Sequence, residues 1–453
     1  MLDATPLLRL YARYRMARLR AQNPVEVQEQ QLLRLVAKAR DTRFGRDHGY
    51  SDIGSVRRFQ ERVPLRRYEQ FWDEYWSPAF PRLADCTWPG TIPFLAVTSG
   101  TTSGVTKSIP CSREMNGANK RAGADLIVHH LANRPRSRLL AGRNFMLGGS
   151  TDLIELAPGI TSGDLSGIAA KVMPWWARLR YFPPRHLEKI ADWEEKIDRL
   201  ARESVGEEIR SLSGTPSWLL IFFDKLAALR PGSGRQIRNF YPNLELLVHG
   251  GINFAPYRAA FSGLLEGSHA ETREVYAASE GFVAVADRGD GEGLRLILDT
   301  GLFFEFVPVD QLDRPNPTRH WLANVEPGVN YALILSTCAG LWSYVLGDTV
   351  RFVELNPPRI LITGRTSYTL SAFGEHLIGE EIEESVSAAA DAIAAAVTDY
   401  AVGALFPERP GDLGGHLYIV EFAGAVPEAA RIDAFARALD DALCATNEDY
   451  KIH

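Results

Sequence analysis

The chain has 453 residues, room for two or three domains, and its 45% hydrophobic and 23% charged content is that of an ordinary globular protein. A formal net charge of −6 argues against nonspecific binding to nucleic acid. Cys86, Cys111, Cys338 and Cys444 stand singly, which excludes a disulfide scaffold and a close-spaced metal pair, and no apolar run approaches the roughly 18 residues of a membrane span. At the start, Arg9, Arg13, Arg18 and Arg20 interleave with Leu7, Leu8, Leu10, Tyr11 and Met16; this is an amphipathic helix packed on the domain, with a membrane-surface helix as the alternative, and not a signal peptide. Helical spacing runs from Val25 to Ala39, followed by a loop-rich stretch to Pro64. Past Pro93 strand and helix alternate: strand Phe94 to Val97, a Gly/Ser/Thr turn, helix Arg113 to Leu131, helices Trp193 to Leu212 and Trp218 to Leu229, and strands Leu244 to Val248 and Arg273 to Ala277. Such alternation predicts an α/β core with ligands beyond the strand ends.

Between Phe282 and Phe352 successive β runs predict antiparallel sheet. After a strand at Arg359 to Thr363, the order helix Glu380 to Val397, strands Tyr400 to Phe406 and His416 to Phe422, helix Glu428 to Thr446 predicts a small α+β domain. The expected domains are therefore 1–363 and 364–453, with a hinge near Gly364.

Three motifs carry chemistry. Thr98-Ser99-Gly100-Thr101-Thr102-Ser103-Gly104-Val105-Thr106-Lys107 follows a strand; small residues let backbone curl round an anion, hydroxyls and amides donate to phosphate oxygens, and Lys107 supplies countercharge. Lys107 stands three places after Gly104, so this is not a Walker A loop. Tyr276-Ala277-Ala278-Ser279-Glu280 ends a strand, where Glu280 is a hard-oxygen ligand suited to Mg²⁺ and Tyr276 a neighbour for adenine. Gly340-Leu341-Trp342-Ser343-Tyr344-Val345-Leu346-Gly347-Asp348 ends in an aspartate able to accept from both ribose hydroxyls. Taken singly, these are a loop, a turn acid and a Gly-Asp hairpin turn; their order and separation make the conjunction specific.

On these motifs the chain resembles the adenylate-forming superfamily, and within it the acyl-acid amido synthetases of the auxin-responsive promoter family. Gln30, Leu33, Ala39-Arg40-Asp41-Thr42, Phe44-Gly45, Phe59, Val63-Pro64-Leu65 and Tyr68, then Ser213-Gly214-Thr215-Pro216-Ser217-Trp218 and Asn447-Glu448-Asp449-Tyr450, echo that family over nearly the whole chain. The resemblance implies a large multi-layer N-terminal adenylate-forming domain and a small mobile C-terminal one. It implies phosphate contacts from Ser99 to Lys107, and adenine and acyl contacts from Gly250, Gly251, Ile252 and Tyr276 to Ser279. It also implies nucleotide contacts from Tyr344 and Arg365, Mg²⁺ on Glu280, ribose on Asp348, and Lys107 and Glu280 as the catalytic pair. Ser343 stands where the family usually has an arginine, a departure that bears on the local salt-bridge arrangement, and Val105-Thr106 replaces the commoner Lys-Pro, which shifts loop flexibility without removing the charge.

The implied reaction uses ATP and Mg²⁺ to join a carboxylic acid to an amine or amino acid through an acyl-adenylate. A ligase making acyl-CoA or another thioester is the same-chemistry alternative, and a nucleotide-binding protein without turnover the alternative of another class. The expected setting is a cytoplasmic monomer without membrane or nucleic-acid partners. Trp175, Trp176, Tyr181, Phe182 and Trp218 are either an apolar acid pocket or core. His129 and His130 are expected as helix C-terminal cations, and His249 as a core or substrate-contacting histidine. The sole lysine after Gly364-Arg365 is Lys451. Family members continue past the segment matched by Asp449-Tyr450, so the C-terminal domain is expected either to use Lys451 or to lack a tail.

Overall fold

The computed structural model describes residues 2–98, 107–148, 151–190, 192–251, 254, 257–289, 291–366, 377, 379–405, 415–447 and 450–451. Contacts divide the chain into two units, one of Met1–Ile252, Leu264–Leu346 and Arg351–Leu361, the other of Asn253–Gly263, Gly347–Val350 and Ile362–His453.

The first unit opens with helices Thr5–Arg20 and Pro24–Ala39. Asn23 caps the second, its Oδ1 accepting the Val25 amide at 3.1 Å, with Pro24 placed where no intrahelical N–H is needed. Behind them lies an aromatic cluster in which Trp342 packs on Phe44 and edge-on to Tyr50 and sends its indole N–H to the Thr87 carbonyl at 2.9 Å. Burial of each such ring contributes about 2–3 kcal/mol. Gly340 is obligatory there: its φ is +91° and a Cβ would sit 2.4 Å from Thr87 Oγ1.

Strands β1 (Phe94–Thr98), β2 (Lys107–Cys111), β3 (Arg143–Met146), β4 (Leu153–Ala157), β5 (Ile160–Gly163), β6 (Tyr181–Phe182), β7 (Ile209–Gly214), β8 (Leu246–Gly250), β9 (Glu271–Ala278), β10 (Gly281–Val285), β11 (Leu294–Leu296), β12 (Leu302–Pro308), β13 (Asn330–Thr337), β14 (Tyr344–Leu355) and β15 (Pro358–Arg365) follow. A small sheet has the order β2-β1-β5-β4, and an 11-stranded sheet the order β12-β13-β14-β15-β11-β10-β9-β8-β7-β3-β6. Strands β6, β3, β7, β8 and β9 run parallel to their neighbours, whereas β9, β10, β11 and β15 pair antiparallel. The expected strands Leu244 to Val248 and Arg273 to Ala277 thus share one sheet with the expected antiparallel region, whereas Phe94 to Val97 belongs to the small sheet.

Several boundaries differ from expectation. The segment read as one helix from Trp193 to Leu212 is a helix only over Trp193–Ser204, after which Gly206 breaks it and Ile209 and Leu212 are buried on β7. The helix expected from Glu380 to Val397 is Gly379–Ala392, and Ala394 turns the chain at φ +49° before the next strand. Gly347-Asp348, alternatively a hairpin turn, lies inside β14.

In the second unit, strands β16 (Val397–Leu405) and β17 (Gly415–Phe422) form an antiparallel pair. With helices Gly379–Ala392 and Ala429–Thr446 they enclose a core of Leu377, Ile382, Val386, Phe435, Leu439 and Leu443. This is the α+β pattern read from the sequence.

Candidate functional site

Strands β1 and β2 make a hairpin in which Thr98 and Lys107 are register partners. The sequence-predicted phosphate residues Ser99, Gly100, Thr101, Thr102, Ser103 and Gly104 lie outside the described residues, as does Ile252. Both anchors of the loop are described. Lys107 directs its ammonium over the Tyr68 ring, 5.4 Å from the centroid, and the Tyr68 hydroxyl accepts the Ser108 amide at 2.9 Å. Burial raises the Tyr68 phenol above its ordinary range, so it remains neutral beside the lysine.

Glu280 sits in the two-residue turn between β9 and β10, where Ala278 pairs with Gly281. Its carboxylate is largely buried and accepts from the Tyr344 hydroxyl at 3.4 Å. Burial, then the charge of Glu280, holds the Tyr344 phenol well above its usual range and keeps it a donor. Tyr276 is buried on β9, next to Val275, the register partner of Gly250 on β8. A Cβ on Gly250 would stand 2.2 Å from the Val275 carbonyl, so only glycine permits this approach, and Gly251 has φ +88°. The first unit therefore places Gly250 and Tyr276 to Ala278 on the neighbouring strands β8 and β9, Gly251 just past β8, and Ser279 and Glu280 in the turn after β9, with Glu280 reaching Tyr344 of β14. In the second unit Asp348 and Arg365 form an ion pair, Nε to Oδ1 3.1 Å, steadied by the Thr366 amide donating to the Gly347 carbonyl at 2.8 Å.

The arginine absent at Ser343 is supplied from elsewhere. Arg319 donates twice to fully buried Glu305, from Nε to Oε1 at 3.0 Å and from Nη2 to Oε2 at 3.0 Å, and to Ser343 Oγ at 2.6 Å. Ser343 Oγ in turn donates to Glu305 at 2.9 Å. The loop Asp313 to Arg319 carries no pattern that marks Arg319 in the sequence, and Tyr68 shows only as one of the family-like residues.

The histidine expectation needs correcting. His129 is buried and uncharged, burial pushing its imidazole down to about 4, so it is no helix-end cation. His130, also buried, binds Glu271 through Nδ1 at 2.6 Å and Ser137 through Nε2 at 3.1 Å. His249 lies buried on β8. Among the described residues no group of three acidic, histidine or cysteine side chains forms a metal cluster, and all four cysteines are free. Of the aromatics read as pocket or core, Tyr181 and Phe182 are core and Trp218 packs on Trp193 at 4.5 Å, while Trp175 and Trp176 face solvent.

The fold is similar to those of a solved acyl acid amido synthetase and a solved acyl-CoA ligase. The AtGH3.15 acyl acid amido synthetase in complex with 2,4-DB superposes with a TM-score of 0.80 at 15% identity, over 94% of this chain and 84% of that one. A 2-hydroxyisobutyryl-CoA ligase in the postadenylation state with 2-HIB-AMP gives a TM-score of 0.60 at 16% identity, over 92% and 82% of the chains. More narrowly, residues 15–148 match the GH3 family N-terminal domain and residues 295–365 the GH3 family central domain. It is 29% identical over 147 residues to a putative indole-3-acetic acid-amido synthetase GH3.10 of Oryza sativa subsp. japonica, a match spanning 30% of each chain.

Proposed function

We propose that this protein is an acyl-acid amido synthetase: it adenylates a carboxylic acid with ATP and passes the acyl group to an amine, an amino acid being the favoured acceptor. The observation that carries the reading is the placement of Lys107 at the foot of a phosphate-type loop, held by Tyr68, in a chain with GH3 family domains on an adenylate-forming fold. In the first step a carboxylate oxygen attacks the α-phosphorus of ATP and the bond to pyrophosphate breaks. In the second the amine nitrogen attacks the acyl carbon, loses a proton and expels AMP. Lys107 offsets charge on the phosphates, Asp348 accepts from the ribose hydroxyls, and Gly250, Gly251 and Tyr276 to Ser279 line the adenine and acyl positions. Arg365 orients Asp348, and a hinge near Gly364 lets the C-terminal domain close over a hydrolysable intermediate.

Glu280 fits Mg²⁺, which takes hard oxygens and typically one or two protein carboxylates alongside phosphates. The Tyr344 hydroxyl donates to that carboxylate at 3.4 Å. Bound there, Mg²⁺ would neutralise nucleotide phosphate charge. Four free thiols and the absence of a long apolar helix among the described residues support a cytoplasmic setting.

The test is pyrophosphate release screened over carboxylic acids, with amino acids or coenzyme A as acceptor. Acid-dependent AMP and pyrophosphate, with amide formed from an amino acid, is the expected result. ADP and inorganic phosphate as products would overturn adenylation, and turnover with coenzyme A alone would overturn the amide step.

A further inference from the structure

The helix Thr5–Arg20 has two apolar faces, and only one is used. Ala12 and Leu19 pack on Val128 and Leu131 of the helix Arg113–Asn133. Arg15 clamps this side down, donating to Asp125 at 2.8 and 2.7 Å and to Asp299 at 2.7 Å. On the opposite side Leu7, Leu10, Tyr11 and Tyr14 recur at i, i+3, i+4 and i+7 and are 74%, 62%, 41% and 59% exposed. A helix held rigidly by one face has no folding reason to keep such a ridge on the other, and contiguous exposed apolar surface marks a contact with something else.

The flanks say what that contact is. At 3.6 residues per turn, Arg13 and Arg20 fall along one side of the ridge and Arg18 continues its line, four residues beyond Tyr14. All three are exposed, the helix contains no Asp or Glu, and among the described residues no carboxylate forms an ion pair with any of the three. Arg18 donates to its neighbour Tyr14 at 3.2 Å. Arg180 donates to the Leu2 carbonyl at 2.7 Å, tying the beginning of the chain to the stretch that carries Trp175, Trp176 and Leu179, all solvent-facing. Leucine and aromatic rings in the centre with guanidiniums at the rim are what the headgroup region of a bilayer accepts, tryptophan and tyrosine being its preferred anchors. Pairing this ridge with its copy on a second chain would bring arginines against arginines, whereas an anionic surface satisfies them.

We propose that this face docks the protein on an anionic lipid bilayer, with Leu7, Leu10 and Tyr14 entering the headgroup layer and Arg13, Arg18 and Arg20 binding lipid phosphates. The sequence alone favoured no membrane partner; the unused ridge is what its amphipathic pattern could not reveal. The inference stands apart from the proposed reaction.

The experiment is flotation of the full chain with vesicles of phosphatidylcholine alone and of phosphatidylcholine mixed with phosphatidylglycerol. Each basic residue near such a surface adds about 1 kcal/mol, so partitioning onto the mixed vesicles is expected to exceed that onto neutral ones by about tenfold or more, and to fall in high salt. L10S/Y14S and R13E/R20E alter exposed positions only, and each is expected to lose flotation while keeping the parent's melting temperature and its pyrophosphate release. Failure to float with either lipid, or equal flotation with both, would overturn the proposal. So would a self-association abolished by L10S/Y14S without flotation, which would assign the ridge to a second copy.

Discussion

Tyr68 holds Lys107 and its neighbour at once: the ring face takes the ammonium at 5.4 Å and the hydroxyl takes the Ser108 amide at 2.9 Å. One side chain thereby fixes both the charge and the backbone at the foot of the hairpin. A cation over an aromatic face is worth about 0.5–2 kcal/mol and an amide hydrogen bond about 0.5–1.5 kcal/mol. If the lysine acts on charge that develops during adenylation, Tyr68→Leu should lower kcat for pyrophosphate release roughly tenfold with a smaller change in KM for ATP. Tyr68→Phe keeps the ring face and should recover most of the rate. Equal losses in both variants would assign the effect to the backbone bond alone.

A second prediction concerns the buried carboxylate of Glu305. It is fully enclosed and satisfied by Arg319, Ser343 Oγ at 2.9 Å and Gln60 Nε2 at 3.0 Å. Removing one partner of a buried pair strands the other charge at a cost of about 3–5 kcal/mol. Arg319→Leu should therefore depress the melting temperature strongly, while Arg319→Leu combined with Glu305→Leu should recover much of it. Urea melts of both variants measure this, and a silent single variant would show that the charge finds another route to solvation.

How far the sequence reaches is clear from these two sites. Local structure was legible: helix spacing located Pro24–Ala39 and Ala429–Thr446, and short apolar runs located β9 and β12, while the order of Lys107, Glu280 and Asp348 is what motivates the proposed reaction. Short strands such as β3 and β5, four residues each, were not, because so few positions carry no period. Long-range partnerships were equally hidden. Arg319 and Glu305 meet across 14 residues, and Gln60 reaches Glu305 across 245, separations that no spacing rule connects. Nor does a pattern tell a helix with one packed face from one whose second face waits for a partner, since both carry apolar residues at helical intervals.

The His130 cluster predicts how stability varies with pH. Burial pushes the His130 imidazole down, but the adjacent carboxylates Glu245 and Glu271 outweigh that and leave it above its ordinary value. Burial pushes Glu245 and Glu271 up, but His130, with Ser137 and Arg210 on one and Arg273 on the other, holds both at about 2. A raised histidine contributes its full stability below its unfolded value of about 6.5 and loses it as pH rises through the folded one. The depressed carboxylates contribute above about 4.5 and lose it as pH falls toward 2. The cluster should stabilise most between those limits. Urea melts at stepped pH should show the difference between the parent and His130→Gln shrinking as pH climbs past about 6.5. A difference that stays constant through that range would mean the imidazole does not titrate in the fold.

Asp348 offers the sharpest test of the nucleotide assignment, because its carboxylate already has a cation. Arg365 Nε lies 3.1 Å from Oδ1, and the Asp348 side chain remains partly open to solvent. An aspartate that accepts from two hydroxyls must be held in one rotamer, and the guanidinium holds it there. Hydrogen bonds to a charged acceptor are worth about 1.5–3 kcal/mol each before overlap, so Asp348→Ala should weaken AMP binding about tenfold to a hundredfold by calorimetry. Arg365→Leu should weaken it less, since the carboxylate keeps its charge in water and loses only its orientation. Glu280→Gln should leave AMP affinity nearly unchanged and slow pyrophosphate release instead. The ribose reading fails if Asp348→Ala binds AMP as the parent does. It fails equally if Arg365→Leu binds AMP more tightly, because the ion pair would then be competing with the nucleotide for the carboxylate rather than presenting it.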